Sequence, residues 1–150
     1  MILNKNTMYI YYEVINQLEP ECVIDIGLFY KSIGGVSRSI LNEEVSKECY
    51  LLGVCTDSIE GLDIYNNIYN KIIDENEFCT LCQSSSKRYK LVIMLSDSIP
   101  QDKKREFIKM TSQISSYILA LYTDKELFDD NLDIVELSVD EDKYILVNLH

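Results

Sequence analysis

The residues with the clearest chemical pattern lie in the stretch "VIDIGLFYKSIGG", which spans 23–35. An apolar run around Asp25 leads into Gly27, a pattern typical of a buried strand that ends in a ligand-binding loop. Two further glycines, Gly34 and Gly35, come directly before a helical pattern that starts at Val36. We therefore interpret the stretch as a strand, a loop and the start of a helix.

Gly34 and Gly35 have two interpretations. They form a flexible turn before the helix, or they belong to an anion site in which the free N–H groups of the helix start are flanked by Lys31 and Arg38. A phosphate-binding P-loop is excluded, because no Lys-Ser/Thr pair follows the second glycine. The second interpretation predicts a phosphate or carboxylate ligand.

Asp97 is the candidate catalytic residue. It ends "YKLVIMLSD", 89–97, a continuous apolar run typical of a strand that is buried on both faces of a parallel sheet. Ligands of such sheets bind outside the carboxyl ends of the strands, where Asp97 would orient a substrate amine or accept a proton. The alternative is that Asp97 or Ser98 caps the helix that begins near Pro100.

The cysteines and the single histidine do not predict a metal site. Three cysteines lie in or beside apolar runs, where reduced thiols pack as small hydrophobes: Cys22, Cys49 and Cys55. Cys79 and Cys82 have C-x-x-C spacing, but zinc needs a second ligand pair, and His150 is the last residue. We expect reduced thiols and no metal, with a redox pair as the alternative for Cys79 and Cys82.

The elements that position these residues follow from apolar periodicity. Strand patterns cover 22–27, 49–55, 89–97, 116–123, 132–138 and 143–149, and helical patterns cover 7–18, 36–48, 64–75, 77–85 and 100–114. Thr7 is the expected N-cap of the first helix, and Tyr65 and Tyr69 are expected to face the core. "EFCTLCQ", 77–83, could form a short strand, but only "SSSKR" separates it from the next strand, which is too short for a parallel crossover. We therefore read 77–85 as helix and expect one strand of the fold to be missing.

The last two strand patterns are separated only by "VDED", which is too short for anything but an antiparallel hairpin. Four parallel strands with crossover helices precede this hairpin. The sequence therefore predicts an α/β three-layer sandwich, with a mostly parallel sheet that ends in a C-terminal antiparallel hairpin. We expect a single domain over 1–150, with an N-terminal helix within 1–20.

Composition narrows the class of partner. The chain has 150 residues, 47% of them hydrophobic and 26% charged, and no apolar run approaches the roughly 18 residues that a membrane span requires. Its net charge of −11 repels nucleic acid and anionic lipid. The N-terminus does not resemble a signal peptide. We expect a cytoplasmic protein with no nucleic-acid or membrane partner, and with 11 tyrosines that favour a homo-oligomer or a protein partner.

The element order, "VIDIG" and "YKLVIMLSD" together resemble the class I S-adenosylmethionine-dependent methyltransferases, a Rossmann-like family whose sheet ends in such a hairpin. The resemblance covers nearly the whole chain and implies S-adenosylmethionine as the cofactor. It implies cofactor-binding positions at Asp25, Gly27, Phe29, Gly34, Gly35 and Asp57, the last as the acid that holds the ribose hydroxyls. The family's motif carries further glycines where this chain has Phe29 and Lys31.

Three hypotheses follow. The altered glycine motif and the lack of inserted segments to cover a substrate favour a methyltransferase-like domain that has lost methyl transfer and serves as a binding or assembly module. The retained Asp25, Gly27, Asp57 and Asp97 favour an active methyltransferase that acts on a small molecule. The glycines at the helix start favour a sensor of a nucleotide or a small anion.

Overall fold

A computed structural model describes residues 5–27, 50–56, 69–83, 89–95 and 99–149. Within these ranges the helices are α1 (Lys5–Leu18), α2 (Glu75–Gln83), α3 (Gln101–Thr111) and a 3₁₀ helix (Tyr122–Leu127). The strands are β1 (Cys22–Ile26), β2 (Tyr50–Val54), β3 (Lys71–Ile73), β4 (Tyr89–Met94), β5 (Ser115–Leu121), β6 (Asp133–Val139) and β7 (Asp142–Asn148).

The strands form one seven-stranded sheet in the order β3-β2-β1-β4-β5-β7-β6. All neighbouring pairs from β3 to β5 are parallel. β7 runs antiparallel to both β5 and β6, so it is the strand that breaks the parallel order. The predicted C-terminal hairpin is confirmed, since only Asp140 and Glu141 separate its strands.

The prediction that a strand is missing was wrong. The sheet has five parallel strands rather than four, because β3 occupies Lys71–Ile73, inside the segment 64–75 that was read as a helix. Ile72 and Ile73 fit a helical stripe as well as a short strand, and pairing with Gly53 and Val54 of β2 selects the strand. The prediction of helix over 77–85 is confirmed for its described part by α2.

Two apolar clusters lie on opposite faces of the sheet. The first packs α1 against one face, with Ile10, Val14 and Ile15 fully or almost fully buried. The second packs α2 and α3 against the other face through Phe78 and Phe107, whose ring centroids are 5.8 Å apart. Helices on both faces of a mostly parallel sheet make the three-layer α/β architecture that the sequence predicted.

The boundaries of the described helices have local causes. α1 begins at Lys5, so the prediction of Thr7 as its N-cap was wrong. α1 ends at Leu18 because Glu19 takes a positive φ of 44° and Pro20 cannot continue the helix. Pro100 precedes the first residue of α3, where its missing N–H costs no hydrogen bond.

Within the described residues, none of the helices has the length and hydrophobicity needed to cross a bilayer.

Candidate functional site

The order of the strands reverses between β1 and β4, and in sheets of this kind a crevice lies outside the carboxyl ends of the strands at that point. From β1 the chain continues outward to β2 and β3 on one side, whereas β4 and β5 lie on the other side. In open α/β sheets, ligands bind outside the carboxyl ends of the strands at such a switch point. Here those ends are Ile26 of β1 and Met94 of β4.

Gly27 marks the exit from β1 into this crevice. Its N–H still donates to the carbonyl oxygen of Val54 at 2.8 Å, which extends the pairing with β2 by one residue. Its φ of 105° lies in a region where a Cβ atom would clash with the backbone. The turn therefore requires glycine.

Asp25 lies directly below this turn, with its side chain on the α1 face of the sheet. It is only 4% exposed. The hydroxyl of Tyr69 donates a hydrogen bond of 2.7 Å to Asp25 Oδ2, and Tyr69 itself is buried in the first cluster. Gly53, the register neighbour of Asp25 on β2, has no side chain and leaves space on this face.

The environment of Asp25 changes its acidity. Burial raises the pKa of the carboxyl group from 3.8 to about 7, and the hydrogen bond from Tyr69 opposes the rise. Burial dominates because a carboxylate in an apolar core loses its hydration, and one hydroxyl replaces only part of it. Near neutral pH, Asp25 is therefore present in both protonated and ionised forms.

Of the residues predicted from the sequence for this site, the structure describes Asp25 and Gly27 and places them together at the end of β1. The others lie outside the described residues: Phe29, Lys31, Gly34, Gly35, Asp57 and Asp97. The cofactor-binding and catalytic roles of all these residues stay predictions.

Sequence reasoning treated Tyr69 as a core residue and missed its contact with Asp25. Tyr69 is indeed buried, but its hydroxyl is bound to the carboxyl group. A signal was available, because an acid inside the apolar run "VIDI" needs a polar partner and a buried tyrosine needs an acceptor. Which tyrosine approaches Asp25 depends on the β3 edge of the sheet, which the sequence did not predict.

A second polar cluster, also missed from the sequence, joins the start of α3 to the 3₁₀ helix after β5. Lys104 Nζ lies 2.8 Å from Asp124 Oδ2, and their side chains are 3% and 1% exposed. Gln101 Nε2 donates to the other oxygen of Asp124 at 3.2 Å. This buried ion pair fixes the segments that follow β4 and β5, both of which border the carboxyl edge of the sheet.

Four cysteines of the described part of the chain form no disulfide bond, namely Cys22, Cys55, Cys79 and Cys82, while Cys49 lies outside it. Burial, and to a lesser degree the neighbouring Cys79, raise the pKa of the Cys82 thiol to about 12. Within the same ranges, no group of three or more His, Cys, Asp or Glu side chains could hold a metal ion.

No protein-family model and no curated protein matches the chain significantly. Solved structures do. The chain is similar to an O-methyltransferase from Bacillus cereus in complex with S-adenosylhomocysteine (SAH), with a TM-score of 0.67 and 10% identity over 98% of this chain and 82% of that one. It is also similar to the SAH-bound Podospora anserina methyltransferase PaMTH1, with a TM-score of 0.63 and 12% identity over 98% of this chain and 79% of that one.

A third similar structure is a candidate rRNA methylase from Clostridium thermocellum, with a TM-score of 0.61 and 10% identity over 98% of this chain and 97% of that one. At such low identity the likeness shows the fold and not the activity. The observed strand order and the antiparallel C-terminal strands agree with it. The chain therefore has the Rossmann-like fold of the class I S-adenosylmethionine-dependent methyltransferases.

Proposed function

We propose that the chain is a methyltransferase-like module that binds S-adenosylmethionine or SAH in the crevice above Gly27 and has lost methyl transfer. The module comprises 1–150 as one domain and acts in the cytoplasm. The observation that carries the proposal is the turn at Gly27, placed at the switch point of a methyltransferase-like sheet.

The turn at Gly27 supports ligand binding. A residue with a Cβ atom could not hold a φ of 105° without strain, so the chain has glycine where its backbone can approach a ligand closely. The residues present thus fit a cofactor that lies against the end of β1. Similar solved structures from Bacillus cereus and Podospora anserina contain SAH, which supports this choice of ligand.

Two features support the loss of methyl transfer. Phe29 and Lys31 stand where the resembled family has glycines, so a loop that binds the cofactor here would bulge and hold it differently from the loop of that family. Asp25 is buried and already bound by the Tyr69 hydroxyl. Its carboxyl group is partly protonated near neutral pH, which weakens it as a partner for a cationic group of the cofactor.

Calorimetric titration with S-adenosylmethionine and with SAH tests the binding. We expect a dissociation constant of about 100 μM or tighter, which corresponds to roughly −5.5 kcal/mol. Gly27→Ala should weaken binding about tenfold, because the added Cβ shifts the turn. Ser138→Ala, a similarly small change on the exposed part of β6, serves as the control and should bind as the wild type. Absence of heat with both ligands would contradict the proposal.

The loss of transfer is tested separately. The protein is incubated with S-adenosylmethionine and a panel of small hydroxyl and amine acceptors, and SAH formation is followed. We expect no acceptor-dependent SAH. More SAH than one equivalent of protein would instead support an active methyltransferase, which the nearly full coverage by SAH-bound neighbours favours. Stabilisation by a nucleotide, without binding of either S-adenosyl compound, would support the anion sensor.

We also propose that the module pairs with a second copy through β6. This strand is the outermost of the sheet, and its residue Val135 is 55% exposed, a large value for an apolar side chain. Edge strands of this kind add further strands readily. Light scattering should give about twice the chain mass of 17.4 kDa, and Val135→Lys should shift it toward the monomer. A monomeric wild type would contradict the pairing.

A further inference from the structure

A second cavity lies away from the crevice above Gly27, between α2 and the sheet near the β3 edge. It has a volume of about 560 Å³. Its floor is apolar and consists of Leu52, Ile73 and Leu81, which belong to the second cluster or pack against it. Cavities that bind small molecules typically measure about 300–1,000 Å³ and are mostly apolar, so this one has the size and the floor of a ligand site.

This cavity is separated from Asp25 by the sheet itself. Successive residues of a strand point to opposite faces, and Asp25 points to the α1 face, whereas Ile24 and Ile26 point to the α2 face. In addition, the cavity residues Tyr50, Lys71 and Tyr89 are the first residues of β2, β3 and β4. The cavity therefore opens toward the amino ends of the strands, opposite to the crevice at Gly27.

The sides of the cavity combine aromatic and charged groups. Tyr50 and Tyr89 are among the residues that line it, and Lys71, Glu77 and Thr80 are exposed residues that line its opening. Lys71 and Glu77 form no ion pair with each other or with another described residue. One cation and one anion thus border an aromatic cavity without neutralising each other.

We propose that this cavity binds a small zwitterion that carries a flat apolar group, the class to which the aromatic amino acids belong. The apolar group lies on the apolar floor beside Tyr50 and Tyr89, where burial and contact with aromatic residues favour a flat shape. The carboxylate of the ligand pairs with Lys71 and its ammonium group with Glu77. The proposal does not depend on S-adenosyl binding, since neither its residues nor its face of the sheet are shared with the crevice.

Saturation-transfer NMR with L-phenylalanine and L-tryptophan tests the site. We expect binding with a dissociation constant of about 1 mM or tighter, the range for a small ligand that is partly enclosed. Two analogues test the two charged groups of the ligand one at a time, because 3-phenylpropionate lacks the amine and phenethylamine lacks the carboxylate. Each should bind at least about fivefold more weakly than L-phenylalanine. An analogue that binds as tightly as the amino acid would overturn the assignment of a zwitterion.

Variants of Lys71 and Glu77 at the opening test which residue binds which charged group of the ligand. Lys71→Ala should weaken binding of L-phenylalanine and 3-phenylpropionate but leave binding of phenethylamine unchanged. Glu77→Gln should weaken binding of L-phenylalanine and phenethylamine but leave binding of 3-phenylpropionate unchanged. Lys109→Ala and Glu126→Gln remove exposed charges elsewhere and should change nothing. Equal affinities in all four variants, or no binding of either amino acid at about 5 mM, would overturn the proposal.

A filling variant tests the cavity without deleting a charge. Thr80 is exposed on α2, so Thr80→Phe should fold normally while its ring occupies the cavity. We expect loss of L-phenylalanine binding, with an unchanged melting temperature and unchanged SAH titration. Retained amino-acid binding in this variant would place the ligand elsewhere and overturn the proposal.

Discussion

The buried carboxyl group of Asp25 should make the stability of the fold depend on pH. Burial raises its pKa from 3.8 to about 7, with the Tyr69 hydrogen bond opposing the rise. Between these two values the folded protein keeps a proton that the unfolded chain has released. The contribution of the protonated Asp25 carboxyl group to the free energy of unfolding is therefore fully present below about pH 4 and is lost as the pH rises through about 7.

The magnitude follows from the two pKa values. They differ by 7 − 3.8 = 3.2, and at 1.36 kcal/mol per pKa unit this gives roughly 4 kcal/mol of stability lost between about pH 4 and pH 7. A loss of that size is a large fraction of the total stability of a small domain. With a urea slope of about 2 kcal/mol per molar, it moves the unfolding midpoint by about 2 M.

Asp25→Asn isolates this effect, because asparagine keeps the shape and the acceptor oxygen for Tyr69 but cannot ionise. Urea unfolding followed by circular dichroism should show similar stability for the variant and the wild type at pH 4. At pH 8 the variant should be more stable, by up to about 4 kcal/mol. Asp130→Asn, an exposed aspartate changed in the same way, should track the wild type at both pH values.

A Tyr69→Phe variant gives the opposite check, since it removes the hydrogen bond that favours the ionised form. Without that hydrogen bond the pKa of Asp25 should rise further, so the pH range over which stability is lost should extend to higher pH, and stability at pH 8 should fall. The reasoning would be refuted by a difference between Asp25→Asn and wild type that stays constant from pH 4 to pH 8. Such a result would mean that Asp25 does not titrate as a buried group.

The remaining predictions concern other parts of the fold. Lys104→Met should cost about 3–5 kcal/mol in urea unfolding, because it leaves the buried Asp124 carboxylate without its cation. Lys103→Met breaks a half-exposed ion pair with an N–O distance of 2.9 Å and should cost about 1 kcal/mol or less. Glu19→Gly should raise the melting temperature, because a non-glycine residue in the left-handed region costs about 1–2 kcal/mol and the observed φ is 44°. In native protein, iodoacetamide should label Cys79 faster than Cys82, because the burial and raised pKa of Cys82 leave little thiolate. Peptide mass spectrometry measures the order of labelling, and faster labelling of Cys82 would contradict the prediction.

The parts of the fold that could be predicted have strong local signals. β4 contains an unbroken apolar run from Leu91 to Met94, and the C-terminal hairpin is forced by a connection too short for any other path. The stretch before Gly27 combines an apolar strand with a glycine whose positive φ the structure then shows. In each case neighbouring residues alone restrict the backbone, so sequence is sufficient.

β3 lacks such a signal. Three residues with two isoleucines fit a helix or a strand, and the choice depends on pairing with β2, whose residues lie about 20 positions earlier. The contact between Tyr69 and Asp25 depends on the same edge of the sheet, and so it was missed as well. The ion pair of Lys104 and Asp124 joins two segments through their tertiary positions, and neither residue stands out in the sequence.

The sequence by itself therefore determined the α/β class, the strand that ends at Gly27 and the antiparallel end of the sheet, because these follow from local periodicity and loop length. Only the tertiary structure decided which polar groups meet. It paired Tyr69 with Asp25 below the crevice, and it placed Lys71 and Glu77 at the opening of a cavity on the opposite face of the sheet. The physical reason is that burial and pKa depend on neighbours that are distant in the chain and become close only when the sheet assembles.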